Sequence, residues 1–383
     1  MPDQRLMAVL ERGEGESISE LARSHGVSRK TIYKWLERYE EGGPEALADL
    51  SRRPHHSPGR VSAEVVAAIV AARLRWKWGP AKLRVKLVEA EPKRTWPGES
   101  TIAAILQARG LTVDRRRRRR MPPQRLPFAA AVAPNRVWCA DFKGWFRTGD
   151  GTRVDPLTLS DAASRYLLRC QIVARPDTQH ARAVLEAAFR EYGLPEVLHT
   201  DNGEPFASVA PRGLSRLALW LVKLGIVPER SRVASPQDNG RHERLHLTLK
   251  QATAQPPQAT VRLQQKAFDA FRREYNEQRP HAALGQRTPA SCYVASARPY
   301  PRRVPEIEYP AEMLVRRVSQ QGSIRWRGQR TYISEVFGHE PLGLKPADGR
   351  WFELYYGPLP IGWFDSHAQR FTRSMPRCLR PEP

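Results

Sequence analysis

Apolar positions near the start of the chain follow the spacing of short helices. A capping-box pattern at residues 17–20 opens one helix, and Ser28 caps a second that runs to about Tyr39. One face of the second helix is apolar and carries Ile32, Trp35 and Leu36. The opposite face carries Arg29, Lys30, Tyr33 and Lys34. The pattern predicts a helix-turn-helix over residues 1–50 whose second helix enters the DNA major groove; an ordinary basic two-helix hairpin is the alternative.

Three more helical segments follow a stretch rich in Pro, Ser and Gly at residues 52–59, which we interpret as a linker. The predicted bounds of these helices are 61–77, 81–89 and 100–110. We interpret residues 60–112 as a second helix-turn-helix, with a less distinctive pattern than the first.

The pattern changes near residue 135, where short apolar runs typical of strands begin to alternate with amphipathic helices. The predicted strands are 136–142, 157–160, 166–173 and 196–200. The predicted helices are 178–192, 214–224, 238–252 and 261–278. This order predicts an α/β core in which helices cover a sheet.

Short strands bounded by glycine turns dominate after residue 301. They are predicted at 323–327, 332–334 and 351–356. The pattern predicts a small all-β barrel over residues 305–370, serving either DNA binding or oligomerisation. The fold class is therefore multi-domain: helical units, then an α/β core, then a small β-barrel.

Charge narrows the class of partner. The 383 residues include 63 Lys and Arg against 40 Asp and Glu, a formal net charge of +23. Such an excess predicts a polyanionic partner, and double-stranded DNA fits the predicted helix-turn-helix. With 40% hydrophobic residues the chain can form real cores, which excludes a wholly disordered basic tail.

An unbroken arginine run lies in the segment 113–133, which we interpret as a linker. Its members are Arg115, Arg116, Arg117, Arg118, Arg119 and Arg120. Their mutual repulsion favours an extended, solvated segment. Arginines can also bind DNA phosphates or enter a minor groove, so we expect DNA contacts here as well.

The sequence also bears on cellular location. No apolar run is long enough to cross a membrane, and no secretory signal is recognisable, so we expect no membrane partner. Four scattered cysteines without a CxxC pair fit a reducing cytoplasm.

Three carboxylates are candidates for a metal-dependent site. Asp141 and Asp201 lie near the ends of predicted strands, and Glu243 lies near the start of a predicted helix. Hard cations such as Mg²⁺ prefer carboxylate oxygens, and two such ions can promote attack on a phosphodiester. Spacing alone does not single out these three acids among forty.

Five motifs in a fixed order sharpen the assignment. They are WCADFKG at 138–144, LSDAASR at 159–165, TDNG at 200–203, SPQDNGRHER at 235–244 and YNEQRPH at 275–281. Together they resemble the catalytic core of DDE-type insertion-sequence transposases in the retroviral-integrase superfamily, over about residues 134–295. One departure is the 42-position step from Asp201 to Glu243, which is longer than is common in that family.

The resemblance implies a ribonuclease-H-like fold in which Asp141, Asp201 and Glu243 are catalytic and bind Mg²⁺ or Mn²⁺, as two ions. It implies that water cleaves a phosphodiester at an element end, and that the freed 3′-hydroxyl then attacks target DNA by direct transesterification. It further implies a homo-oligomer that holds two element ends, in the cytoplasm of a bacterium and associated with its nucleoid.

Other polar residues around these motifs receive supporting roles. His246 and Lys250 share a helix face with Glu243, so we expect them to contact DNA, although an ordinary surface lysine is the alternative for Lys250. We expect Asn202 and Gly203 to shape the turn that aims Asp201. Asp161 is interpreted as structural and bonded to Ser164 and Arg165, whereas Asp155 and Glu204 are expected to be solvated.

Two alternatives stay open from the residues alone. One is a domesticated, catalytically inactive DNA-binding regulator. The other is a zinc metalloprotease, because His242 to His246 reads HExxH. The extended form of that motif fails, since Leu249 occupies its glycine position, and a protease has no need of the +23 charge.

Overall fold

The computed structural model describes residues 2–49, 59–112, 131–231 and 240–379. The chain divides into two compact units, Met1–Val66 and Ala67–Pro383. None of the helices in the described ranges has the length and apolar character needed to cross a bilayer.

The N-terminal unit is helical. It contains α1 (Pro2–Gly13), α2 (Ile18–Ser24), α3 (Arg29–Gly42) and a 3₁₀ turn at Pro44–Leu47. The predicted capping box is confirmed: Glu20 N donates to Ser17 Oγ at 3.3 Å, and Ser17 N donates to the Glu20 carboxylate at 3.2 Å. The buried core consists of Ala8, Val9, Leu21, Ile32, Trp35 and Leu47. This core fixes which face of α3 is exposed.

Three helices precede the sheet: α4 (Ala63–Trp76), α5 (Pro80–Ala90) and α6 (Glu99–Ala108). Their bounds lie within two residues of the predicted bounds. Pro80 occupies the first turn of α5, where its missing N–H costs nothing. Leu83 and Leu87 of α5, with Ile102 and Leu106 of α6, are buried.

A mixed sheet forms the centre of the second unit. Its strands are β1 (Val137–Phe142), β2 (Phe146–Arg147), β3 (Arg153–Asp161), β4 (Leu167–Val173), β5 (Val197–Thr200) and β6 (Val227–Arg230). In the described residues β1 pairs antiparallel with β3 and parallel with β5, β5 pairs parallel with β6, and β3 pairs antiparallel with β2 and β4. The predicted helix-covered α/β core is confirmed in this form.

Four helices pack on this sheet: α7 (Thr178–Tyr192), α8 (Arg216–Lys223), α9 (Gly240–Thr253) and α10 (Val261–Arg273). One core joins the sheet to α7 and α8 through Trp138, Phe189 and Trp220. A second core joins β4 to α9 and α10 through Leu249 and Phe268. Helix α9 is therefore held against the sheet by apolar side chains that are far apart in sequence.

The C-terminal region is antiparallel β. Its strands are β7 (Leu314–Arg317), β8 (Ser323–Trp326), β9 (Gln329–Tyr332), β10 (Pro341–Asp348), β11 (Trp351–Tyr356), β12 (Leu359–Asp365) and β13 (Arg370–Thr372). Within the described residues β13-β12-β11-β10-β7 form one sheet and β8-β9 form a hairpin. The strand predicted at 332–334 is wrong: β9 ends at Tyr332, because Ser334 caps a 3₁₀ turn by accepting from Val336 N at 3.4 Å.

Candidate active site

Two of the three candidate acids lie at neighbouring strand ends. Asp141 is near the end of β1, and Asp201 directly follows β5. These strands are parallel and pair Ala140 with Thr200, so the next position on each strand is one of the acids. Paired strands run about 4.8 Å apart. The register therefore brings Asp141 and Asp201 side by side at one sheet edge.

The turn after β5 positions Asp201. Gly203 N donates to Asp201 Oδ1 at 3.2 Å, and Asn202 Nδ2 donates to the Ser231 carbonyl at 2.6 Å. A Cβ on Gly203 would lie 3.1 Å from Asp201 Oδ2, closer than most real Cβ contacts. The expected role of Asn202 and Gly203 in shaping this turn is confirmed.

Helix α9 approaches Asp141 through His246. His246 Nε2 lies 2.7 Å from Thr158 Oγ1, and His246 Nδ1 lies 3.9 Å from Asp141 Oδ2. Thr158 Oγ1 donates its proton to the Asp141 backbone carbonyl at 3.1 Å. The Thr158 hydroxyl therefore lies within hydrogen-bond distance of both the Asp141 carbonyl and the His246 ring. Thr158 thus ties the strand that carries Asp141 to α9.

Glu243 lies in the first turn of α9, one turn before His246, and its side chain is exposed. Within the described ranges, no three His, Cys, Asp or Glu side chains are arranged to hold a metal ion. The fold therefore brings the helix carrying Glu243 to Asp141, but the three carboxylates do not close around a common point.

Of the two histidines in the HExxH pattern, His242 is buried and His246 is partly buried, and their ring centroids lie 5.6 Å apart. Burial, followed by the nearby His246 and His199, lowers the pKa of His242 to about 3. Burial, followed by Lys143, lowers the pKa of His246 to about 4. Both rings are neutral near pH 7, and His246 uses Nε2 to bond Thr158. Nothing in the described residues supplies them with a zinc site.

Lysines supply positive charge beside the acids. Lys250 is exposed on α9, two turns beyond Glu243. Lys143 is half-buried, with Nζ 4.9 Å from the Phe146 ring centroid, and its pKa is lowered first by burial and then by Lys250. Sequence reasoning missed Lys143 and Thr158. Lys143 follows Asp141 by two positions, and this spacing was an available signal.

Acidic residues outside the site have structural partners. Asp161 Oδ1 accepts from Ser164 N at 2.7 Å and from Ser164 Oγ at 2.6 Å, so the predicted Ser164 contact is confirmed. The expectation for Asp155 is wrong: it is 5% exposed, and Arg153 Nε donates to it at 2.9 Å. The two residues lie two positions apart on β3 and so point to the same face.

The predicted DNA-binding side chains of α3 lie on its exposed face. They are Arg29, Lys30, Tyr33 and Lys34. The opposite face of α3 buries Ile32 and Trp35, as the pattern predicted. The six predicted arginines, 115–120, lie outside the described residues.

Comparison with known proteins agrees with this architecture. Residues 5–67 match the winged helix-turn helix family, and residues 131–236 and 224–289 match two integrase core domain families. The chain therefore carries an integrase core behind a helix-turn-helix. The chain is also similar in sequence to transposases of bacterial insertion elements.

Two proteins and one solved structure are examples of chains similar to parts of this one. The uncharacterized 31.7 kDa protein of insertion element IS407 from Burkholderia multivorans is 29% identical over 64% of this chain and 87% of its own length. The putative transposase InsD for insertion element IS2E from Escherichia coli is 28% identical over 44% and 79%. The HTLV-2 integrase catalytic core domain, solved in complex with magnesium, is 15% identical with a TM-score of 0.34, over 43% of this chain and 99% of that one.

Proposed function

We propose that this protein is a DNA transposase that cleaves element ends and joins them to target DNA. One observation carries the proposal: parallel strands β1 and β5 place Asp141 and Asp201 side by side, and α9 meets Asp141 through His246. Glu243, one helical turn from His246, completes the proposed catalytic set.

The donor chemistry at this sheet edge fits hard divalent cations. Asp141, Asp201 and Glu243 offer only carboxylate oxygens, the ligands that Mg²⁺ and Mn²⁺ prefer. Two bound ions would activate an attacking oxygen and stabilise a leaving oxygen.

The chain's own residues then orient the DNA. Thr158 and His246 hold the Asp141 strand against α9, which keeps the acids in register. Lys143 and Lys250 would bind phosphate oxygens beside the bond that breaks. Water attacks the phosphodiester at the element end and releases a 3′-hydroxyl, and that hydroxyl displaces a 3′-oxygen in target DNA. No covalent protein intermediate is needed.

Helical units and basic segments would hold the DNA. We assign residues 1–50 and 60–112 as two helix-turn-helix units, 113–133 as an arginine-rich linker, 134–295 as the ribonuclease-H-like core and 305–370 as a small β-barrel. Arg29 and Lys30 of α3 would enter a major groove. Two element ends must be held together, so the working form is a homo-oligomer on double-stranded DNA at the nucleoid.

An assay of end cleavage and strand transfer tests the proposal. The substrate is a duplex carrying the DNA that flanks the gene, with Mg²⁺ or Mn²⁺ present. The wild-type chain should cleave and join it, and Asp201→Asn should not. Equal products from both proteins would refute catalysis at this site, and binding without cleavage by the wild type would indicate a DNA-binding regulator instead.

A further inference from the structure

A second, positively charged site adjoins α9. It is a cavity of about 430 Å³. Five nitrogen-bearing side chains from four segments line it: Lys82 of α5, Arg165 of the β3–β4 turn, Arg244 of α9, and Arg279 and His281 beyond α10. No Asp or Glu is among the described residues that line this cavity. Its walls therefore present positive charge without a matching carboxylate.

The fold holds these cations in place by backbone contacts. Arg165 has a left-handed backbone, φ 64°, and its N–H donates to the Asp161 carbonyl at 3.0 Å. Asn276 is buried and bonds Leu167 twice, accepting from its N–H at 2.8 Å and donating to its carbonyl at 3.0 Å. These bonds join the π-helical turn before Arg279 to the start of β4. The arginines consequently meet across two anchored turns.

Helix α5 also contributes to the wall of this cavity. The Arg279 guanidinium lies 5.7 Å from the Trp78 ring centroid, a cation–π distance, and Trp78 directly precedes α5. Lys82 follows in the first turn of α5. Burial lowers the pKa of Arg279, and Tyr275 and Glu274 act against this shift. Burial also raises the pKa of Glu274 itself.

Burial and the nearby cations lower the pKa of two of these side chains. Burial, then Arg279 and Arg244, lowers the pKa of Lys82 to about 8. Burial, then Lys82, Arg279 and Arg165, lowers the pKa of His281 to about 3. His281 Nε2 is buried and has no hydrogen-bond partner among the described residues. A bound anion would relieve the repulsion and give this nitrogen a partner.

We propose that this cavity binds a phosphate group of the DNA backbone. Guanidinium groups bind phosphate through paired N–H donors, and the cavity offers three. Arg244 directly follows Glu243, so a strand held here would be gripped by the helix that carries the proposed catalytic glutamate. The assignment of this phosphate to DNA rests on the proposed function. The proposal that the cavity binds an anion does not depend on that function.

Thermal unfolding of the full chain in inorganic phosphate tests the anion site. Phosphate should raise the melting temperature of the wild type above that in chloride at equal ionic strength, because it binds only the folded state. Arg165→Gln and Lys82→Gln should each weaken the apparent phosphate affinity about tenfold, the loss expected for a charge-assisted contact. The exposed α10 variants Arg262→Gln and Lys266→Gln are the matched controls. Absence of a phosphate effect on the wild type would overturn the proposal.

The salt dependence of duplex binding tests whether the bound phosphate belongs to DNA. Fluorescence anisotropy at several salt concentrations should give a log–log slope about 0.9 shallower for Lys82→Gln, and an unchanged slope for Lys266→Gln. If phosphate affinity falls while both slopes match the wild type, the cavity binds free phosphate and the DNA assignment is overturned. Neither readout needs end cleavage, so failure of the catalytic proposal would be recognised separately.

Discussion

The two sides of α9 face opposite chemistry. On one side His246 meets Thr158 and Asp141, in a region of carboxylates. On the other side Arg244 and Thr248 line a cavity of cations. The carboxylate side gains most from a bound cation, and the cationic side gains most from a bound phosphate. Under the proposed function, this one helix would connect the cavity that holds DNA to the site that cuts it.

The largest expected effect is on the carboxylate side. Asp141→Asn should lower end cleavage by at least about 10³-fold, equal to a barrier rise of about 4 kcal/mol, because a charged oxygen ligand is lost. Duplex binding by the same variant should stay within about twofold of wild type. Cleavage kinetics and anisotropy measure the two quantities. Cleavage within tenfold of wild type would separate Asp141 from the chemistry.

The next effect tests the apolar anchor that both sides share. Leu249 is fully buried against Phe268, so Leu249→Ala should lower the free energy of unfolding by about 2–5 kcal/mol. Leu247 on the same helix is 52% exposed, and Leu247→Ala should change it by less than about 0.5 kcal/mol. Urea denaturation measures both. Equal losses would contradict the packing described for α9.

Local signals in the sequence predicted the helices well. The bounds of α7 were predicted at both ends, because Asp177 accepts from His180 N at 2.9 Å and Gly193 ends the helix with φ 76°. Strand β6 was missed. It has four residues, includes Pro228 and lacks a buried alternation, so no local pattern marks it. Its existence depends on pairing with β5.

The residues of the candidate site were also only partly predictable from the sequence. Acids at strand ends could be predicted from Asp141 and Asp201 themselves, since adjacent parallel strands bring their ends together. Thr158 could not, because its role needs the β1–β3 register that pairs it with Asp141. The cation cavity was also unpredictable: Lys82 and Arg279 are ordinary cations until four distant segments meet.

A smaller effect is expected from the contact that joins β3 to α9. Thr158→Val keeps the shape but removes the hydroxyl from the Asp141 carbonyl and His246. The free energy of unfolding should fall by about 1–3 kcal/mol, because the substitution leaves buried polar groups without a hydrogen-bond partner. Thr101→Val, exposed on α6, is the control and should change it little. If Thr158→Val has the same free energy of unfolding as the wild type, the hydrogen bonds of the Thr158 hydroxyl contribute nothing to stability.

A further prediction concerns pH on the cationic side. His281 has a folded pKa of about 3 against an ordinary value of 6.5. Between these values His281 is protonated in the unfolded chain and neutral in the folded chain. The free energy of unfolding therefore falls as pH drops from about 6.5 toward 3. One such group contributes at most about 1.4 kcal/mol per pH unit. His281→Gln should flatten the stability-against-pH curve measured by urea denaturation; an unchanged curve would contradict the assignment.

Manganese binding tests whether Asp141, Asp201 and Glu243 hold metal ions together. The full chain is titrated with Mn²⁺, and free ion is followed by electron paramagnetic resonance, for wild type, Asp141→Asn, Asp201→Asn and Glu243→Gln. Asp269→Asn, an exposed acid on α10, is the control. The account predicts binding by wild type and Asp269→Asn and at least about tenfold weaker binding by the other three. Equal affinity in all five proteins would contradict it.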